Sequence, residues 1–217
     1  MNFEQARFNM IEQQIRPWEV LDQTVLDQIA EIPREEFVPQ QFRKLAFSDT
    51  QIPLTHGQVM MSPKLEARMV QALRLRPDDT TLEIGTGSGY VTALLARMSK
   101  QVLSIEFYAD FTQSAAEKLA RLSISNVSLI TADGIRGWER GFPYDAIAVT
   151  GSVPLFSDHF QRQLKLGGRL FLIVGQAPIM EACLITRLSE NEWRSEPLFE
   201  TDIPPLIGAP TPERFVF

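Results

Sequence analysis

The chain has 217 residues, 44% apolar and 22% charged, with a formal net charge of −6. This suits a soluble globular protein of one large or two small domains, and no lysine/arginine run supports a nucleic-acid partner. One cysteine excludes an internal disulfide and two histidines cannot make a histidine-rich metal site, so no metal is expected.

The start, Met1-Asn2-Phe3-Glu4, lacks the basic and apolar regions of a secretory signal. No segment approaches the roughly 18 consecutive apolar residues of a membrane span. A monomer in the cytoplasm, away from membranes, is expected. Phe8, Ile11 and Ile15 recur at helical spacing, and Arg16-Pro17 should end that helix. Leu21, Val25 and Ile29 predict a second helix, capped by Asp22 and stopped by Pro33. After a loop, Ser62-Pro63 reads as the start of a third, with Leu65, Met69, Ala72 and Leu73 on its apolar face.

From Pro77 the pattern alternates strand and helix, as in a parallel α/β sheet. The first strand ends at the turn Gly85–Gly89, followed by a helix carrying Val91, Leu94, Leu95 and Met98. Val102–Glu106 is the second strand, with a helix bearing Phe111, Ala115 and Leu119 behind it. Val127–Thr131 and Asp145–Thr150 are the next strands. A short helix around Phe156–Leu166 is predicted to stop at Gly167-Gly168, ahead of a strand Arg169–Gly175. Ala182–Leu188 and Trp193–Phe199 make two more strands, and the proline-bearing tail (Pro204, Pro205, Pro210, Pro212) should be irregular. The predicted layout is one domain over 1–217. Residues 1–75 form a helical cap and acceptor loop, 76–190 the cofactor-binding sheet, and 191–217 a last strand and tail.

The stretch Glu83-Ile84-Gly85-Thr86-Gly87-Ser88-Gly89-Tyr90 is the strongest signal. Glycines let a backbone turn with positive φ and approach a ligand that a Cβ would hold off. A dinucleotide fingerprint needs G-x-G-x-x-G/A, whereas here Tyr90 occupies the sixth position. An ordinary strand–helix turn is the plain alternative. The E-x-G-x-G-x-G turn resembles the first motif of S-adenosylmethionine-dependent methyltransferases, which implies that Glu83 helps hold the methionine end of that cofactor. In open parallel sheets ligands gather beyond the carboxyl ends of the strands. Two further acids fall at such ends. A carboxylate at Glu106 suits the two hydroxyls of a ribose, or is only a solvated charge at a strand end. Asp133, before Gly134, suits an adenine amine, or is only a turn residue.

Taken together, these segments resemble the protein-L-isoaspartate O-methyltransferase family over about residues 25–190. The resemblance is carried by Phe37-Val38-Pro39, Gly57-Gln58, Pro63, Ala67-Arg68-Met69, the glycine turn, Ser104-Ile105-Glu106, Asp133-Gly134, Tyr144-Asp145-Ala146-Ile147 and Gly167-Gly168-Arg169-Leu170. It implies a class I methyltransferase-like fold: a mostly parallel seven-stranded α/β sheet flanked by helices, with an N-terminal helical cap. It also implies methyl transfer from S-adenosylmethionine, released as S-adenosylhomocysteine, to isoaspartyl carboxylates in damaged proteins or peptides. The implied cofactor residues are Glu83, Gly85, Thr86, Gly87, Gly89, Glu106, Asp133, Gly134 and Thr150.

One departure bears on the acceptor. The family's loop usually reads G-Q-T-I-S-x-P, with hydroxyls at the substrate carboxylate, and here Gly57-Gln58 and Pro63 bracket Val59, Met60 and Met61. Met61 takes the serine position, leaving Ser62 as the nearest catalytic hydroxyl. Three acceptor readings follow: weakened isoaspartate recognition, a pocket remade for another carboxylate or a small molecule, or a non-catalytic S-adenosylmethionine-binding module. A further departure is Gly151-Ser152 where the family has two alanines. His56, in the same loop, is either an acceptor-site residue or a surface one.

Overall fold

The computed structural model describes residues 2–211; Pro212 of the predicted tail lies outside them. Helix α1 (Phe3–Met10) begins at Asn2, whose side chain accepts the Gln5 N–H, and runs on into a wide π turn (Ile11–Ile15). Its buried face is Met10, Ile11 and Ile15, while Phe8 is 59% exposed. Of the predicted stripe, Ile11 and Ile15 are buried and Phe8 is not. Helix α2 (Gln23–Glu31) is capped by Asp22, which accepts the Thr24 N–H. Leu21 lies ahead of that cap and is exposed, so Val25, Leu26 and Ile29 form the buried face.

Two short strands, β1 (Ile52–Pro53) and β2 (Val59–Met60), pair antiparallel and fold the intervening loop back on itself. Helix α3 (Pro63–Leu73) follows, with proline in its first turn, where the missing N–H costs nothing.

The main sheet comprises β3 (Thr80–Ile84), β4 (Gln101–Glu106), β5 (Val127–Thr131), β6 (Tyr144–Val153), β7 (Leu164–Gln176), β8 (Ile179–Ser189) and β9 (Glu192–Thr201). Its spatial order is β5-β4-β3-β6-β7-β8-β9. The first five strands are mutually parallel; β8 and β9 add as antiparallel neighbours. Helices α4 (Tyr90–Met98) and α5 (Ala109–Arg121) are the crossovers beside β4. The architecture implied by the resemblance is the one observed.

Strand alternation splits the core in two. Ala146, Ala148, Phe171 and Ile173 face α1–α4, whereas Leu82, Ile84, Ile147, Val149, Leu170 and Leu172 pack on the opposite side. Among the described residues, no helix is long and apolar enough to cross a membrane.

One prediction is corrected here. The helix expected over 156–166 is only α6 (His159–Arg162), and Gly167-Gly168 lies inside β7 rather than at a helix end. The pair sits in a register shift, where Tyr144 is opposite Leu164 but Ala146 is opposite Arg169. A Cβ on Gly168 would come within 2.8 Å of the Lys165 carbonyl oxygen, so the fold needs glycine there to pass the bulge.

Candidate active site

Strand β3 has β4 on one side and β6 on the other, so the chain leaves its carboxyl end where the strand order reverses. The glycine turn occupies that switch point, the place where open α/β sheets bind ligands. Gly85, Gly87 and Gly89 all have positive φ. A Cβ on Gly85 would collide with the Thr150 hydroxyl, which lies 2.6 Å from the Gly85 carbonyl oxygen. A Cβ on Gly89 would sit 2.9 Å from Ala115 Cβ of α5. Gly87 differs from both. Its missing side chain faces open space, with Leu54 the nearest group at 3.7 Å.

That space belongs to a cavity with about 650 Å³ free of atoms, open to solvent at its mouth. Gly85, Gly87, Glu106, Asp133, Gly134 and Thr150 all line it, so six of the sequence-derived cofactor residues converge. Glu106 is 5% exposed; Oε2 accepts the Gly87 N–H at 2.8 Å and Oε1 accepts the Tyr108 N–H at 2.9 Å. The two bonds fix the carboxylate across the turn, and each oxygen keeps a further lone pair for a ligand hydroxyl. Asp133 is exposed on the cavity wall, and its Oδ1 also accepts the Ile135 N–H at 3.0 Å.

Glu83, by contrast, points away from the cavity. It is fully buried between β3 and α4, where Oε2 accepts from Thr92 and Ser104 hydroxyls, each at 2.6 Å. Its Oε1 has no hydrogen-bond partner. Burial outweighs those two hydrogen bonds, with the nearby Glu106 charge adding to it, and pushes the carboxyl up to about 8. Glu83 thus sits beneath the turn and not on the wall. Thr86, 2.5 Å from the Ser104 hydroxyl, extends this buried network and lines a smaller cavity beside the first.

The acceptor loop forms the facing wall. Gln58 and Val59 line the main cavity, while Val59, Met60 and Met61 line the smaller one opposite Gly85–Ser88 and Thr150. Met60 and Met61 are also packed into the core. The catalytic role expected for Ser62 does not fit its placement. Its carbonyl accepts the Leu65 and Glu66 N–H groups at the start of α3, and the residues on the cavity wall are the three before it. Gly57 is exposed, with nothing near its Cβ position, and Pro63 is buried in the first turn of α3.

Sequence reasoning missed one wall. The tail predicted as irregular crosses the cavity, and Ile203, Pro204, Pro205, Leu206 and Ile207 line it. Ser152 pins the tail: its N–H donates to the Pro204 carbonyl, its hydroxyl to the Ile203 carbonyl, and its own carbonyl accepts the Leu206 N–H.

A model of the protein-L-isoaspartate(D-aspartate) O-methyltransferase family matches residues 5–206. The chain belongs to this family. It is 39% identical over 208 residues to protein-L-isoaspartate O-methyltransferase 1 of Rhodopseudomonas palustris strain HaA2, covering 95% of this chain and 85% of that one. It is 40% identical over 201 residues to the enzyme of strain ATCC BAA-98 / CGA009 of the same species, covering 92% of each. A Plasmodium falciparum structure, described as a putative member of the family in complex with S-adenosyl-L-homocysteine, superposes with a TM-score of 0.77. That match covers 95% of this chain and 98% of that one, at 20% identity, which speaks to the fold.

Within the family's pattern, the replacement of two alanines by Gly151-Ser152 now has a physical reason. A Cβ on Gly151 would lie 2.9 Å from Leu206 Cδ2, and the Ser152 hydroxyl supplies the bond that holds the tail.

Proposed function

We propose that this chain methylates the side-chain carboxylate of isoaspartyl residues in proteins or peptides, with S-adenosylmethionine as donor. The observation that carries the reading is the shared wall: Gly87 borders both the donor cavity and the smaller one facing Val59–Met61. Val59, Gly85 and Thr150 border both as well, so the glycine turn and the acceptor loop meet along one shared wall.

Bound S-adenosylmethionine supplies a sulfonium-activated methyl group. The acceptor carboxylate is already an oxygen nucleophile, so the site needs no general base; it must align, hold and exclude water. Glu106 receives the ribose hydroxyls on the lone pairs its backbone partners leave free. Asp133 receives the adenine amine. Gly87 allows close approach, Gly85 and Gly134 fit the turns against Thr150 and against Ile84 and Ile105, and the Thr150 hydroxyl holds the turn through the Gly85 carbonyl. Glu83 and Thr86 support the turn from beneath. Val59 and the tail residues Leu206 and Ile207 keep water from the methyl path.

The apolar Val59–Met61 wall favours a second reading, in which another carboxylate or a small molecule is the acceptor. Losing a hydrogen bond to a charged group costs about 1.5–3 kcal/mol, roughly 10- to 150-fold in acceptor affinity. Labelled methyl transfer to an isoaspartyl peptide, with the aspartyl peptide as control, tests the first reading. Transfer to the isoaspartyl peptide alone supports it. Binding of S-adenosylhomocysteine without such transfer would sink it in favour of another acceptor or a non-catalytic module. Val59→Thr with Met60→Ile and Met61→Ser should raise transfer by lowering the peptide KM.

A further inference from the structure

The turn between β1 and β2 holds His56 in the left-handed region, φ 57° and ψ 23°, which residues other than glycine rarely adopt. What holds it there is the start of α5 and the residue before it, of which Tyr108 and Phe111 line the donor cavity. The imidazole stacks flat on Tyr108, with centroids 4.0 Å apart and planes within 7°, and its edge meets Phe111 at 5.6 Å. Nε2 is 3.0 Å from both carboxylate oxygens of Asp110, in the first turn of α5, and the Thr55 hydroxyl is 3.4 Å from Oδ2.

These contacts join the two halves of the site. Two residues after His56, Gln58 lines the donor cavity; on the other side, Tyr108 and Phe111 line it too. The Tyr108 N–H is held by Glu106, whose other oxygen holds the Gly87 N–H. A continuous path thus runs from the acceptor loop through His56, Tyr108 and Glu106 to the glycine turn.

We propose that His56 is a positioning residue that clasps the acceptor loop onto the ribose side of the donor site. The closed clasp holds the cofactor in place and sets Val59–Met61 beside its methyl end; opening it releases the product. The proposal rests on the donor reading of the cavity.

The test is stopped-flow release of S-adenosylhomocysteine, with steady-state kinetics and thermal melts, on the full chain and two variants. His56→Gly relieves the left-handed backbone, which offsets the contacts it loses, so its melting temperature should stay within about 2–4 °C of the wild type. Its product release should quicken by about tenfold or more, with the donor KM rising in step, because the stack and both polar contacts are lost. Asp110→Asn keeps the stack and should fall between the two. A glycine variant that releases product at the wild-type rate overturns the clasp while leaving the donor reading intact. A wild-type chain that binds no S-adenosylhomocysteine removes both.

Discussion

Arg34 and Glu66 form a two-pronged ion pair inside the protein, with Nε on Oε2 at 2.9 Å and Nη2 on Oε1 at 3.1 Å. They are 0% and 2% exposed. Arg34 also donates to the carbonyls of Ala46 and Met61, the latter at 2.6 Å, so the pair anchors the end of the acceptor loop. Glu66→Ala would leave the guanidinium charge buried without a partner, a change that typically costs about 3–5 kcal/mol. Urea unfolding at pH 8, above the raised value of about 7 and so with Glu66 ionised, should show a loss of that size. A loss near zero would mean that Arg34 finds water or another carbonyl in place of Glu66.

Gly87 tests the cradle. A side chain here projects into the space shared by the cavities, and its φ of 51° costs an L-residue about 1–2 kcal/mol. Gly87→Val should therefore fold with a modest loss of stability and lose S-adenosylhomocysteine binding in calorimetric titration. Normal affinity in a folded variant would place the cofactor elsewhere.

Glu106 is buried and spans two backbone N–H groups, so it is not a freely replaceable surface acid. Glu106→Gln keeps its size but turns one acceptor end into a donor facing an N–H. Each lost bond to the charge costs about 1.5–3 kcal/mol. S-adenosylhomocysteine affinity should fall by roughly 10- to 150-fold, seen by calorimetry. A change below about threefold would remove Glu106 from the ribose role.

The donor side was legible in sequence because its elements are local. An apolar strand, three glycines and an acid at the next strand end are all short-range patterns, and Glu106, Asp133 and Thr150 do converge on one cavity. Strand parity also explains what was misread about Glu83. It alternates with Leu82 and Ile84, which pack on the opposite face, so its side chain turns toward Ser104 and α4. The tail was not legible, because it is held by Ser152–Ile203 and Ser152–Pro204 bonds across some fifty positions. Gly167-Gly168 looked like a helix stop because a bulge and a C-terminal cap both call for glycine.

Buried acids also set how stability responds to pH. Burial pushes Glu83 up to about 8, against the hydrogen bonds from Ser104 and Thr92, and Glu66 up to about 7, against its pairing with Arg34. Between the ordinary value of 4.5 and those raised values, the folded state binds more protons than the unfolded one. Stability must then fall as pH rises through that window, and the contribution is fully present only below it. Melting temperature should decline between about pH 5 and pH 8, on the order of a few kcal/mol in stability. Glu83→Gln mimics the neutral acid and should remove its share of the decline across the whole window, leaving a shallower decline from Glu66 that ends near pH 7. Parallel profiles for the variant and wild type would show that Glu83 carries no raised value in the folded protein.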